Sequence, residues 1–587
     1  ETPDPELERK IGVYLRRVQQ KDGGWPLFYG GPADISATVK AYFALKMIGD
    51  SPDAPHMARA RETVLKMGGA GKANVFTRMT LALYGEIDWK YTPTVPPELL
   101  LLPLWFPVHL AKMSYWARTV MVPLMVLAAK KPKAKNPRDV HIPELFAPGK
   151  LRIRRAPQQK VFWYLFFNGI DRLLKLLEPV WPKGLRKRAI ETCVAWTIER
   201  LNGEDGLGAI YPAMANSVMM FAVMGYPPDD PNRAVARKAI ENLLVVKADE
   251  AYCQPCVSPV WDTALACHAL METGGQDEAV EKGLAWLKTK QVTDVKGDWT
   301  TWKPKVRPGG WAFQYNNAHY PDLDDTAVVV MAFDRAGASD PATREAVARG
   351  REWVEGLQSK NGGWGAFDAD NGYFYLNNIP FADHGALLDP PTEDVSGRCL
   401  GMLSQLGEAK DGPRMKAAVA YLEKLQLKDG SWFGRWGVNY IYGTWSALCG
   451  LNAAGLEPTH PAMRRAADWL KAIQNEDGGW GEDCRSYRLD YSGYEKAPSA
   501  ASQTAWALLG LMAAGEVDSD AARRGVAYLR KTQGPDGLWP ENTYTGGGFP
   551  RVFYLRYHGY PKFFPLWALS RYRNLKTGNS RRVLQGL

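Results

Sequence analysis

The sequence predicts an all-α protein built from repeated helical hairpins, and three observations predict it. First, a Gln stands six residues ahead of a Trp five times: "QQKDGGW" (Gln19, Trp25), "QSKNGGW" (Gln358, Trp364), "QLKDGSW" (Gln426, Trp432), "QNEDGGW" (Gln474, Trp480) and "QGPDGLW" (Gln533, Trp539). Second, Thr or Ser is followed eleven residues on by Gly, in Thr38/Gly49, Thr263/Gly274, Thr326/Gly337, Ser396/Gly407, Thr444/Gly455 and Thr504/Gly515. A hydroxyl near the start and a Gly at the end are helix start and stop signals. Third, the two kinds of segment differ in polarity: "TAWALLGLMAAG" is apolar nearly all round, whereas "RRGVAYLRKTQ" is not. A helix apolar on every side belongs inside. The unit is outer helix, Gly-Trp loop and inner helix, and such hairpins close into α/α barrels or stack as solenoids.

Taken along the chain, "ETPDPELERKIGVYLRRVQQ" already reads as an outer helix, and Thr38 opens an inner one. The net charge of +10 is concentrated in "AAKKPKAKNPR" (128–138) and "GKLRIRRAPQQK" (149–160). These lead into "VFWYLFFNGIDRLLKLLEPVW" (161–181), whose apolar run Asp171, Arg172, Lys175 and Glu178 interrupt. That pattern makes a poor spanning helix. It suits a helix lying in one leaflet behind a cationic flank, and a buried core helix is the alternative. "LNGEDGLG" (201–208) is a decayed copy of the Gln–Trp phrase and "QVTDVKGDW" (291–299) a stretched one ending at Trp299. A chain of 587 residues exceeds one ordinary core. Seven scattered Cys, with Cys253 and Cys256 as a lone C-x-x-C, argue against a disulfide scaffold.

"PDLDDTAVVVMAFDRAG" (321–337) crowds Asp322, Asp324 and Asp325 at the mouth of an apolar helix. Asp at a helix start satisfies free N–H groups and suits the dipole, but crowded carboxylates also keep one another protonated. Asp324 lies two residues before its Thr. The same position elsewhere holds Trp261, Asp394, Tyr442, Ser502 and Ser36. If inner helices line a barrel with their N-termini at one end, these side chains face one space. Helix caps alone give no reason for acids to alternate with Trp and Tyr.

The Gln–Trp repeats and "DLDDTA" (322–327), together with "GGWAFQ" (309–314), "SPVWDT" (258–263) and "WFGRWGVNYIYGTW" (432–445), resemble the squalene–hopene cyclases, the bacterial class II triterpene cyclases, over nearly the whole chain. The resemblance implies two α/α barrels, a terpenoid cyclase-like toroid with a large cavity, and monotopic membrane attachment. We expect an inserted-type barrel over 1–245 carrying a membrane-facing segment, 97–181, and a second barrel over 246–587 carrying the acid motif. The implied reaction is squalene to hopene and hopanol. Asp324 would donate the proton, with Asp322 and Asp325 as its charged neighbours. In "TEDVSGR" (392–398) Asp394 is the family's supporting Asp, while Arg398 stands where relatives have His; Arg offers charge and donors but cannot titrate. Aromatic faces stabilise a carbocation without capturing it. This gives the 22 Trp, 26 Tyr and 19 Phe a purpose. By motif match Trp261, Phe313, Phe367, Trp436, Tyr442, Phe553, Tyr557 and Tyr560 line the cavity, with Trp116 and Phe381 beside them, whereas the Trp residues of the repeats are structural.

No metal or organic cofactor is expected, and no nucleic acid. The expected partners are squalene, the cytoplasmic face of a bacterial membrane and a second copy of the chain. Lys40, Arg78 and Tyr211 fall where the family terminates the reaction, and relatives carry a repeat ahead of residue 1. The rival readings fit less well. A Mg²⁺-dependent synthase needs Asp-Asp-x-x-Asp, which "DDPNR" (229–233) fails at its last position. A zinc prenyltransferase needs ligand spacing that Cys267 and His268 lack, and a glycosidase needs an open polar groove. Another polyprene cyclase and a non-catalytic repeat scaffold remain as alternatives.

Overall fold

The computed structural model describes residues 3–149, 151, 155–337, 340–488 and 493–587. Positions 150 and 152–154 of the second basic run lie outside the described residues. Among the described residues the fold is all-α apart from two short hairpins, Leu244–Val246 with Ala251–Cys253 and Gly546–Phe549 with Phe553–Leu555. It packs as two compact units, Glu1–Val257 with Tyr373–Leu388, and Ser258–Gly372 with Asp389–Leu587.

In the second unit six helices, counted among the described residues, pack each on the next: Pro259–Thr273, Leu323–Arg335, Glu393–Gln405, Tyr440–Ala453, Ala501–Ala513 and Tyr560–Thr577. The last packs on the first, so the ring closes into a barrel and the solenoid alternative falls away. Every residue of Ala501–Ala513 is buried. The outer helix Asp520–Thr532 buries only Ala521, Ala522, Gly525 and Leu529, one stripe of its surface. Where Glu393–Gln405 crosses Tyr440–Ala453, a Cβ on Gly450 would come within 2.3 Å of the Gly397 carbonyl. Glycine on both helices lets the backbones touch, which draws Asp394 and Arg398 against Tyr442.

The Gln–Trp phrases clamp these hairpins. Gln426 donates through Nε2 to the carbonyls of Gly430 at 2.9 Å and Ala462 at 2.8 Å, the latter in the first turn of the next outer helix. The Trp432 indole N–H donates to Leu422 in the helix before it at 2.7 Å. Trp25, Trp364, Trp480 and Trp539 repeat the indole bond. Changing Gln426 to Ala strips both carbonyls of their donor and is expected to cost about 1–3 kcal/mol; an unchanged urea midpoint would refute the clamp.

Two expectations are corrected. The hydroxyl of the second register does not start its helix: Asp34, Asp322, Thr392 and Ala500 are the N-caps, and the hydroxyl lies one turn inside. There it accepts the backbone N–H of the repeat Trp, as Thr38, Thr326, Ser396, Thr444 and Thr504 do for Trp25, Trp311, Trp364, Trp432 and Trp480 at 2.9–3.0 Å. The two sequence registers are halves of one joint. The stretched copy ends at Trp311 rather than Trp299: Gln291 bonds Gly309 and Ala346, and the Trp311 indole bonds Leu287. Hydrogen-bond geometry defines the repeat, so a loop can be inserted between its two ends. The Gly half of the register stands as read, since all six glycines have φ between 66° and 113°.

In the first unit Ile35–Ile48, Val75–Leu83, Tyr115–Lys130 and Tyr211–Val223 are apolar helices that each bury several side chains. The decayed copy retains its logic, with the Asn202 amide on the Gly206 carbonyl at 2.9 Å and Gly208 against Thr119 where Trp would stand. Val161–Leu177 buries only Phe167, so it is no core helix. Among the described residues no helix is long and apolar enough to cross a membrane.

Candidate active site

The acid motif occupies the first turn of Leu323–Arg335. Asp322 is the N-cap, accepting the Asp325 N–H at 2.7 Å through Oδ1, while its Oδ2 and Asp325 Oδ1 are buried without a partner. The cap reading is therefore right for Asp322. Asp324 points elsewhere: Arg398, from the neighbouring helix, donates Nε to Oδ1 and a terminal N–H to Oδ2, the latter at 3.0 Å. Arg398 is fully buried and Asp324 is 8 % exposed. A second N–H of Arg398 reaches the Tyr442 hydroxyl at 2.8 Å. The guanidinium carbon lies 4.8 Å from the Tyr442 ring centre and 5.5 Å from those of Trp261 and Trp445.

Asp394 is tied into the same region, accepting from the Thr392 hydroxyl at 2.6 Å and from the Trp436 backbone N–H at 2.8 Å. It thereby fixes the loop that sets Trp436 edge-on to Phe367, ring centres 6.1 Å apart. Trp261 donates its indole N–H to the Tyr560 hydroxyl at 2.9 Å, and Tyr560 stacks on Tyr557 at 4.1 Å. Phe313 meets Tyr557 edge-on. Phe553 lies on the short hairpin, half-buried beside Phe549. Of the expected residues, Asp322, Asp324, Asp325, Asp394, Arg398 and these eight rings belong to the second unit. Trp116 and Phe381 belong to the first, where Trp116 donates to Ala386 and Phe381 packs on Phe76.

Sequence reasoning missed Trp445, beneath Arg398, and Trp506, 4.8 Å from Tyr442 and 5.6 Å from Tyr560. Their signal was available, since each follows an inner-helix Thr by one or two residues. Asp262 was also missed; it accepts the Ser258 hydroxyl at 2.7 Å and burial pushes its carboxyl up to about 6. Cys267 and His268 are core residues, His268 stacking on Trp567 at 5.2 Å. Among the described residues all seven Cys are free thiols.

Burial dominates the electrostatics. It pushes the Asp324 carboxyl above its ordinary range; Arg398 pulls it back and Asp394 pushes it further up. Burial pushes Asp322 up to about 8, aided by the charge of Asp324, and drives Asp325 well above the usual range. Burial works against the Arg398 charge, yet Asp324 and its neighbours hold it above the ordinary value. Asp322 and Asp325 titrate together, and a charge on Asp324 pushes both further up.

A pH dependence follows. Asp322, and Glu393, which burial likewise pushes up to about 8, stay protonated in the folded chain where the unfolded chain has released its protons. Folded-state values raised in this way contribute stability that is lost as pH rises through them. His268, which burial pushes down to about 3, opposes this trend only below its unfolded value of about 6.5. The urea midpoint is therefore expected to be higher at pH 6.5 than at pH 8, with the difference smaller in Asp322→Asn; a higher midpoint at pH 8 would overturn the assignment.

The chain matches the family models of the squalene-hopene cyclase N-terminal domain over residues 1–249 and of the C-terminal domain over 257–574. It is 61 % identical to the squalene–hopene cyclase of Zymomonas mobilis, covering 100 % of this chain and 91 % of that protein. For the squalene–hopene cyclase of Bradyrhizobium diazoefficiens the identity is 62 %, over 100 % of this chain and 90 % of the relative. For that of Alicyclobacillus acidocaldarius it is 41 %, over 97 % and 90 %. Among solved structures, ent-copalyl diphosphate synthase from Streptomyces platensis shares the fold, with a TM-score of 0.50, 15 % identity and coverage of 98 % of this chain and 94 % of that one. A helical terpene-cyclase fold with a buried acid at the mouth of an inner helix defines the class. The chain belongs to the squalene–hopene cyclase family.

Proposed function

We infer that the protein cyclises squalene to pentacyclic hopanoids, hopene and hopanol, with Asp324 as the proton donor. The observation that carries this reading is the buried Asp324 held in a two-point fork by Arg398, whose guanidinium lies among Trp261, Tyr442 and Trp445. An unactivated alkene is protonated only by a strong acid kept neutral and away from water. Burial, with the nearby Asp394, supplies the proton affinity. Arg398 is placed to stabilise the carboxylate that remains once the proton has moved to the terminal alkene, and the fork is the geometry that carboxylate would take. Because Arg cannot titrate, it positions and stabilises but does not relay the proton.

Ring faces then receive the cation as it travels. Trp261, Phe367, Trp436, Tyr442, Tyr557 and Tyr560 present π-systems that lower its energy without a lone pair positioned for capture. Loss of a proton ends the sequence as hopene, and addition of water ends it as hopanol. Detergent-solubilised protein incubated with squalene and EDTA should yield pentacyclic triterpenes by mass analysis; recovery of open-chain squalene alone would overturn the reading.

We assign the catalytic barrel to the unit 258–372 with 389–587, and a second barrel, bearing the membrane-facing segment 97–181, to the unit 1–257 with 373–388, in place of the division at 245/246 expected from the sequence. Attachment to a membrane is supported by Val161–Leu177, on which Phe162 is 71 % and Leu176 76 % exposed, and the cytoplasmic face is carried over from the sequence reading. A homodimer is carried over from the family resemblance.

A further inference from the structure

Beside the exposed helix of the first unit lies a cavity of about 620 Å³, walled by Leu174, Lys175, Glu178, Trp181 and the turn that follows Tyr115–Lys130. Its cations are only partly neutralised. Lys131 pairs with Glu178 at 2.7 Å, Lys175 with Asp171 at 2.7 Å and Arg186 with Glu98 at 2.6 Å, while Lys90 faces Asp88 at 3.6 Å. Lys133 inside the cavity, and Lys130 and Lys183 in the adjoining cleft, have no carboxylate partner among the described residues. The buried Trp181 Nε1–H and Thr94 hydroxyl in the same walls also lack partners. One turn away on the same helix, Leu173 and Leu177 stand in the open beside Leu176, with Val180 just beyond.

We propose that this cavity seats the headgroup phosphate of an anionic phospholipid, whose acyl chains run along the exposed face of Val161–Leu177. The proposal rests on the membrane reading above and adds to it a lipid class. Unpaired lysines around a pocket of headgroup size attract a phosphodiester, and the adjacent apolar face holds the chain within reach of the bilayer. A free anion would use the lysines but leave the apolar rim without a role. The site is separate from the acid motif, so binding there anchors the enzyme without touching the chemistry.

The test is flotation of the full chain with phosphatidylcholine vesicles and with vesicles containing 30 mole per cent phosphatidylglycerol, a proportion of roughly one anionic lipid in three. Wild type is expected to bind the anionic vesicles at least about tenfold more tightly. The triple variant Lys130→Glu, Lys133→Glu, Lys183→Glu should lose that preference while still floating with the neutral vesicles and keeping its squalene turnover in detergent. Equal binding of wild type to both vesicles, or a preference that survives the triple variant, would overturn the headgroup site alone. No binding to either vesicle would overturn the membrane reading as well. Release by inorganic phosphate at matched ionic strength would assign the cavity to a free anion and overturn the lipid.

Discussion

Replacing Asp324 with Asn is expected to abolish conversion of squalene, with turnover falling by about 10²–10⁴-fold or more. The amide is close to the carboxyl in size and still accepts a bond from Arg398, but it has no proton acidic enough for an alkene. Neither Asp322 nor Asp325 can take over in place. Asp322 Oδ1 is committed to the helix cap, and neither acid is joined to Arg398 by a hydrogen bond. Turnover is measured by mass analysis of the lipid products, and circular dichroism at the assay temperature establishes that the variant is folded. Hopanoid production at more than about one tenth of the wild-type rate would remove Asp324 from the donor's role.

The second large effect belongs to Arg398. Changing it to Leu leaves both Asp324 oxygens and the Tyr442 hydroxyl buried without the N–H groups they accept from, at an expected cost of about 3 kcal/mol or more. The denaturant midpoint should fall accordingly, and turnover should drop because the conjugate base of Asp324 is no longer stabilised. Adding Asp324→Asn to Arg398→Leu should cost less than the sum of the two single changes, since either one alone already breaks the fork; strictly additive losses would show that the two side chains do not act as a pair. Arg398→Lys keeps the charge and gives up the fork. It is expected to lie between wild type and Arg398→Leu in turnover.

Much of this protein is readable in its sequence because its joints are local. Gln426 reaches Gly430, four residues on, and the Trp432 indole reaches Leu422, ten residues back. Such bonds impose a fixed spacing on the chain, and the spacing shows as a repeat. Where a loop intervenes, as between Gln291 and Trp311, the same bonds survive while the spacing fails, and the nearest Trp in sequence misleads. The hydroxyl register was visible for the same reason, but its meaning was not. Thr444 resembles a helix start until the Trp432 N–H is found on its oxygen.

The candidate site was legible only in part. The acids stood out because three carboxylates in four positions need a compensating environment, and Asp394 and the rings came with the motif. The contact that organises them joins residues 74 apart, Arg398 and Asp324, across two neighbouring inner helices. No period in the chain encodes that. Trp445 and Trp506 carried a signal in their place one or two residues after Thr444 and Thr504, but it shows as one only once the ring contacts to Arg398, Tyr442 and Tyr560 are known.

By itself the sequence determined the hairpin unit, the polarity that separates inner from outer helices, and the clustering of acids at one helix mouth. These are set by hydrogen bonds and apolar faces acting over a few residues. Tertiary structure decided that six inner helices close into a ring, which carboxylate Arg398 takes, and which rings surround its guanidinium. Those outcomes depend on side chains meeting across helices distant in the chain, where packing and burial, rather than spacing, select the partner.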